Sequence, residues 1–287
     1  MQNEQQNENE SGLTLVLTAT GKTGRRVADR LEKLGVPARL GSRSAATPFD
    51  WDDESTWEPA LRGVDAVYVV YTPDLAVPAA PKAIRAFTDL AVRSGVTRLV
   101  LLSGRGEEEA QRCERIIQES GVDWTVVRAS WFNQNFNEGS FVDLVQQGTI
   151  ALPAGGTPEP FVDADDIADV VVAALTQDGH AGRIYEVTGP RLMTFVDVAS
   201  ELSKATGREI RFVDISHEDF IAGLKQVGVP GDYIELLSYL FRTVLDGRNA
   251  SVADGVERAI GRAPKDFGAF ASEAAATNIW HAAAQGV

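Results

Sequence analysis

The first residues with chemistry to offer are T-A-T-G-K-T-G at positions 18–24. An apolar run, L-T-L-V-L at 13–17, leads straight into them, and a helical pattern follows at once. A Gly-rich turn between a strand and a helix can hold phosphate, because the helix N-terminus presents unpaired N–H groups at the positive end of its dipole. The spacing is that of G-x-x-G-x-x-G with Thr18 at the first glycine position. Gly21 is placed to let backbone approach a pyrophosphate, and Gly24 to let the helix pack closely on the strand. Thr18, Thr20, Lys22 and Thr23 add hydroxyls and one cation, which makes all six residues candidate cofactor contacts. A tight turn that binds nothing uses the same glycines, and Thr18 counts for that alternative, since a β-branched residue tolerates positive φ poorly.

The second apolar run ends in G-S-R-S at 41–44, where an NAD-binding fold carries an acid for the ribose 2′-hydroxyl. Arg43 stands there instead, and an arginine suits a 2′-phosphate through forked, charge-assisted hydrogen bonds. NADP(H) is therefore expected over NAD(H), with Ser42 assisting. The competing account of Arg43 is a solvated surface arginine. Asp50, read as the end of the next short strand, is placed near the adenine. Thr72, Pro73 and Ser103 close the third and fourth strand runs and complete the candidate cofactor contacts, since ligands of open α/β sheets lie at the carboxyl ends of the strands.

The acid–base residues of ordinary carbonyl reduction are missing. Tyr68, Tyr71, Tyr185, Tyr233 and Tyr239 are followed four positions on by Thr72, Leu75, Gly189, Leu237 and Thr243, so no Tyr-x-x-x-Lys exists. Tyr71 and Tyr185 fall near strand ends and are the tyrosines to test for a hidden acid. Hydride transfer to an iminium, quinone or azo acceptor asks for less, chiefly orientation and a dry pocket. An iminium carbon is already electrophilic and becomes a neutral amine without a proton donor. The same absences suit a chain that catalyses nothing, so the catalytic residues stay unknown. Trp131, Phe132 and Asn135 follow a strand run and are the candidate substrate pocket, with Asn133 beside them. Packing of a loop is the alternative for the aromatic pair, and turn capping for the asparagines. Asp163, Asp165 and Asp166 read as a helix start capped by Asp165, or as a carboxylate near a substrate cation. Glu107, Glu108 and Glu109 read as a solvated helix start, Cys113 as a buried or neutral thiol, and His217 as a capping or packing residue.

These residues need a scaffold, and the chain alternates accordingly. Apolar strand runs at 13–17, 36–41, 65–71, 98–103 and 124–128 are separated by helical patterns at 25–35, 81–95 and 111–119. Strands apolar on both faces, each followed by a helix, predict a doubly wound parallel α/β sheet of Rossmann type. After about 129 helices dominate, at 165–176, 194–206, 217–227, 232–245 and 267–284, with short strands at 184–190 and 210–215. The expected organisation is a polar, disordered tail over 1–11, a dinucleotide-binding domain over 12–155, and a smaller, mostly helical substrate-covering part over 156–287.

Composition narrows the partners. The 287 residues carry 27 Lys+Arg against 41 Asp+Glu, a net charge of −14, which argues against a nucleic-acid or anionic-membrane binder. The one cysteine and three scattered histidines predict no disulfide within the chain and no metal site. The tail lacks an apolar core, so it is not read as a secretory signal, and a cytoplasmic protein with a small-molecule substrate is expected.

Six segments in order carry a family resemblance: T-A-T-G-K-T-G at 18–24, V-L-L-S at 100–103, V-R-A-S-W-F-N-Q-N-F at 127–136, F-V-D-A-D-D-I-A at 161–168, Y-E-V-T-G-P at 185–190 and G-R-A-P-K-D-F at 261–267. Together they resemble the NmrA-like atypical short-chain dehydrogenases over most of 13–273. S-R-S at 42–44, F-D-W-D-D-E-S-T-W at 49–57 and S-W-F-N-Q-N-F look most like the ergot-alkaloid reductases, which form festuclavine or agroclavine by NADPH-dependent reduction of an iminium C=N. H-E-D-F-I-A-G-L-K-Q-V-G-V-P at 217–230 is similar to NADPH:quinone reductases of the same superfamily. The resemblance implies an NADPH-dependent oxidoreductase with Trp131 and Phe132 lining the nicotinamide and substrate. It leaves open an imine reductase, a quinone or azo reductase, and a non-catalytic NADP-binding redox sensor with a protein partner.

Overall fold

The strand runs are apolar on both sides because both sides are covered. The computed structural model describes residues 12–281, so the polar tail at 1–11 and the last positions of the 267–284 helical pattern lie outside the described residues. In chain order come β1 (Leu13–Leu17), α1 (Lys22–Lys33), β2 (Ala38–Gly41), α2 (Trp57–Leu61), β3 (Val64–Val69), α3 (Ala80–Arg93), β4 (Arg98–Gly104), α4 (Glu108–Gln118) and β5 (Asp123–Ala129). Then follow α5 (Val142–Gln147), β6 (Thr149–Leu152), α6 (Ala164–Thr176), β7 (Arg183–Val187), α7 (Phe195–Thr206), β8 (Arg211–Asp214), α8 (His217–Gln226), α9 (Gly231–Tyr239), α10 (Gly255–Ile260) and α11 (Phe267–Ala276). A wide helical turn, Leu240–Val244, prolongs α9.

Six strands form one parallel sheet in the order β2-β1-β3-β4-β5-β7. The order reverses at β1, which pairs with β2 on one side and β3 on the other, with Val16 opposite both Leu40 and Tyr68. Such a reversal opens a crevice above the carboxyl ends of the two diverging strands. Alternate residues of each strand serve opposite layers. Leu15, Leu17, Val67, Val69, Leu99 and Leu101 pack under α3 and α4 with Ile84, Phe87 and Ile117. Val16, Tyr68, Val100 and Val127 pack under α1 and α6 with Val27, Leu31, Ile167 and Val171.

A third apolar cluster lies apart from the sheet. It gathers Phe136, Phe161, Phe195, Phe241, Phe267 and Trp280 with residues of α5, β6 and α7. The chain passes between these layers more than once. β7 and α6, both beyond position 155, complete the sheet and its cover, so the packing does not divide at 155/156. No helix among the described residues is long and apolar enough to cross a membrane.

Several local readings are corrected. Asp50 ends no strand; it forms an isolated bridge with Asp53, and its carbonyl accepts from Trp57 Nε1 at 2.7 Å, which makes the segment a tight turn. The cap of α6 is Asp163, whose carboxylate accepts from Asp165 N at 2.8 Å. A cap residue must be extended and lie outside the helix, as Asp163 does at φ −79 and ψ 133, whereas Asp165 is already inside. The segments α2, α5, β6 and α10 are not foreseen in the sequence pattern. Each is only four to six residues long, too short for a period to stand out.

Candidate functional site

A cavity of about 420 Å³ opens above the carboxyl ends of β1, β3, β4 and β5 and is roofed by α9 and the turn that follows it. At one end lies the β1–α1 turn. Thr18 takes φ +51, the conformation expected of a glycine at this place. Its hydroxyl donates to the Val70 carbonyl at 3.1 Å, and that carbonyl also accepts from Trp51 Nε1 at 2.9 Å. A Cβ on Gly24 would lie 2.2 Å from the Thr18 carbonyl oxygen, so only glycine lets α1 sit this close to the turn. Gly21 is extended, at φ −78 and ψ 176, and precedes α1; no side chain caps that helix and no acid stands in its first turn. Lys22 Nζ donates to Asn135 Oδ1 at 2.9 Å, and burial holds its pKa below the usual lysine value. Open N–H groups, a half-buried cation and a glycine-lined approach can together bind a pyrophosphate.

Of the other candidate cofactor contacts, Thr72, Pro73 and Ser103 line the cavity with Thr18, Gly21, Lys22 and Thr23. Thr20, Ser42, Arg43 and Asp50 do not. Arg43 is exposed just past Gly41, whose carbonyl accepts from Ala19 N at 3.2 Å, so the arginine stands beside the turn rather than in the cavity. Among the described residues no ion pair engages it. The Ser103 proton is committed: its hydroxyl donates to Glu114 Oε1 at 2.6 Å, and Arg128 Nε donates to the same oxygen at 2.8 Å. Arg128 and Arg105 both continue to Glu186, at 3.0 and 3.2 Å, which ties together the ends of β4, β5 and β7.

At the other end the aromatic pair separates. Phe132 packs on the sheet layer, while Trp131 lies parallel to Phe141 at 6.5 Å and tilted to Phe241 at 5.1 Å. Both line the cavity, so Trp131 is at once core and wall. Asn135 also lines it, whereas Asn133 is fully buried with no side-chain partner. Tyr71 faces the cavity, but Tyr185 does not; its hydroxyl is bonded to His180 Nδ1 at 3.0 Å inside β7. The acidic run at 163–166 is structural. Asp165 pairs with Arg26 and Arg30 at 3.3 and 3.0 Å and Asp166 with Arg262 at 2.6 Å, all outside the cavity lining. Burial and the adjacent Glu109 and Glu114 push the Cys113 thiol up to about 12, which leaves it neutral.

The sequence reading missed two acids in the wall. Asp74 follows Pro73, and Glu107 immediately precedes α4; both line the cavity, and Glu107 is only 7% exposed rather than solvated. Nothing in the run E-E-E announces this, because the roof that covers Glu107 comes from residues more than a hundred positions later.

Comparison with known proteins gives a consistent picture. The family model described as NAD(P)H-binding matches residues 18–178. Agroclavine dehydrogenase of Claviceps fusiformis is 32% identical over 93% of this chain and 99% of its own. The NAD(P)H azoreductase of Xenophilus azovorans is 30% identical over 92% and 98%. Among solved structures, an NADPH-dependent quinone oxidoreductase from Escherichia coli, complexed with NADPH, superposes with a TM-score of 0.78 at 22% identity, over 91% of this chain and 99% of that one. That likeness is one of fold.

Proposed function

The chain belongs to the NAD(P)H-binding family of oxidoreductases, and from that premise we propose that it uses NADPH to reduce an imine or iminium C=N of a small molecule. The carrying observation is a cavity at the strand ends that joins a dinucleotide turn to an aromatic wall and holds no Tyr-x-x-x-Lys pair. The near-full-length similarity to a clavine dehydrogenase supports the C=N acceptor.

The residues divide the work. Gly21, Lys22, Thr23 and the open end of α1 would hold the pyrophosphate, Gly24 keeps that helix end in place, and Arg43 with Ser42 would take the 2′-phosphate. Bound there, the dihydronicotinamide supplies hydride. Thr72, Pro73 and Ser103 would border it from the ends of β3 and β4. Trp131 and Phe132 would position a flat acceptor and keep water away, and Asn135 locks Lys22 in orientation.

The test is NADPH oxidation with a panel of a cyclic iminium, a quinone, an azo dye and a simple ketone. Turnover of the iminium well above the ketone is expected. The similarity to an azoreductase favours a second reading, a quinone or azo reductase, and turnover of those acceptors alone would transfer the assignment. Tight NADP binding without turnover of any acceptor would leave a sensor.

A further inference from the structure

The cavity contains two carboxyl groups with no cation between them. Asp74 and Glu107 stand together in its wall, close enough for the Asp74 carboxyl to raise the affinity of Glu107 for a proton. No lysine or arginine N–H reaches either group among the described residues. Arg105, two positions away, turns to Glu186 and Ser130, and Arg248 pairs with Asp246 and donates to the Gly106 carbonyl. The other ionisable groups near the pair are Glu114, Tyr239 and Glu108, none of them positive. Two carboxylates side by side in one cavity wall with no cation repel one another, which favours a proton held by the pair.

The hydrogen bonds around the pair favour Glu107 as the group that keeps the proton. Asp74 Oδ1 accepts from the Ala76 N–H at 2.8 Å, a donor that favours the ionised form. Glu107 has no such donor. Its carboxyl lies against the end of β4, so close that a Cβ on Gly104 would fall 2.1 Å from its Oε1. Burial and the neighbouring Asp74 hold the Glu107 carboxyl well above the usual carboxylate range. In the cavity wall Asp74 follows directly on Pro73 and Glu107 lies against Gly104, next to the residues taken to border the nicotinamide, and the Tyr239 hydroxyl of α9 accepts from the adjoining Glu108 N–H at 3.4 Å.

We infer that Glu107, backed by Asp74, is the proton donor that converts a neutral imine into the iminium that accepts hydride. The inference rests on the C=N reading above and narrows it to acceptors that include unprotonated imines. In the step, the Glu107 O–H bond breaks and an N–H bond forms on the imine nitrogen. Hydride then forms the new C–H bond, the π pair moves to nitrogen, and NADPH becomes NADP+. The carboxylate pair stands as counter-ion to the transient cation and regains its proton from water. The net reaction is imine plus NADPH plus one proton to amine plus NADP+.

Glu107→Gln isolates the proton. It leaves one negative charge in the wall, on Asp74, as in the singly protonated pair, and removes only the acid. Dihydroisoquinoline, a neutral imine above its own pKa, and its N-methyl iminium salt are the two substrates. The imine-to-iminium ratio of kcat/KM should fall about a hundredfold in the variant, the usual size of a positioned general acid. An unchanged ratio overturns the inference. Should the variant fail to fold, Asp74→Asn and the wild-type pH profile, taken wholly above the imine's own pKa and corrected for its residual iminium, replace it: the ratio should decline as alkali removes the shared proton, and a flat ratio overturns the inference. Infrared difference spectra of wild type minus Glu107→Gln at neutral pH, with and without NADP+, should show a protonated-carboxyl band; its absence overturns the inference whatever the activity. If neither substrate is turned over, the C=N reading fails separately, while the band still reports on the pair.

Discussion

The two ends of the cavity are built in opposite ways. The phosphate end is contiguous: seven residues of one turn, with a helix N-terminus behind them and Arg43 one strand away. The groups proposed to bind there are mostly backbone, and its side chains matter by being absent, as at Gly24. The end proposed for the acceptor is assembled from the ends of three strands and a helical roof, and the groups proposed to act there are side chains: Asp74, Glu107, Trp131 and Phe132. A contiguous end can be read in a sequence and specifies a cofactor. An assembled end specifies a substrate and emerges only when distant segments meet.

Substitution at the phosphate end should show the largest effect. Gly21→Val should abolish nucleotide binding, more than a hundredfold in Kd by calorimetry, with the circular dichroism spectrum retained; retained affinity would reduce the turn to a structural bend. Gly24→Ala offers the contrast, since its Cβ meets a backbone carbonyl at 2.2 Å and should lower stability as well as affinity.

The next effect belongs to the buried acids. Glu159 is fully buried, both its carboxyl oxygens lack partners, and burial pushes its pKa up to about 7 from 4.5. Between those values the folded chain keeps a proton that the unfolded chain has lost. Stability should therefore fall as pH rises through that window, by on the order of 3 kcal/mol in all, and level off above it. Urea denaturation at pH 5 and pH 8 should show this slope in wild type and a smaller one in Glu159→Gln, the remainder belonging to the raised Glu107 and Asp74 carboxyls. Equal slopes would mean that Glu159 finds a partner.

Smaller changes sharpen the contrast of cofactor with substrate. Arg43→Ala should narrow the preference for NADPH over NADH by about tenfold or more, the worth of a forked, charge-assisted contact. Equal affinities of wild type for both nucleotides would remove the 2′-phosphate assignment. Trp131→Ala should lower kcat/KM for the acceptor by roughly 1–2 kcal/mol, with a smaller change in NADPH affinity. Its parallel contact with Phe141 means that a thermal melt must accompany the kinetics.

Much of the scaffold was legible because buried parallel strands are apolar on both faces and cannot be mistaken for loops. The turn was legible because its glycines, strand and helix are adjacent. Glu107 is not legible for a physical reason: three consecutive glutamates before a helix are ordinarily solvated, and only the roof makes one of them pocket wall. The cap falls on Asp163 and not on Asp165 because a cap depends on one residue's backbone angles, which D-A-D-D leaves open. β6 was invisible because its pairing partner, β8, lies some sixty residues downstream.

The Val70 carbonyl takes two hydrogen bonds, from the Thr18 hydroxyl and the Trp51 indole, and both lone pairs are spent. In mechanical terms it is a cross-tie at the mouth of the crevice, joining the end of β1, the end of β3 and the aromatic segment around Trp51. The aperture between the diverging strands is thus set by three packed segments rather than by the turn's own conformational preference. A β-branched residue can hold a left-handed backbone there because its own hydroxyl is one of the ties. Tolerance to change is correspondingly uneven: replacing Thr18 with glycine would ease the backbone and loosen the frame.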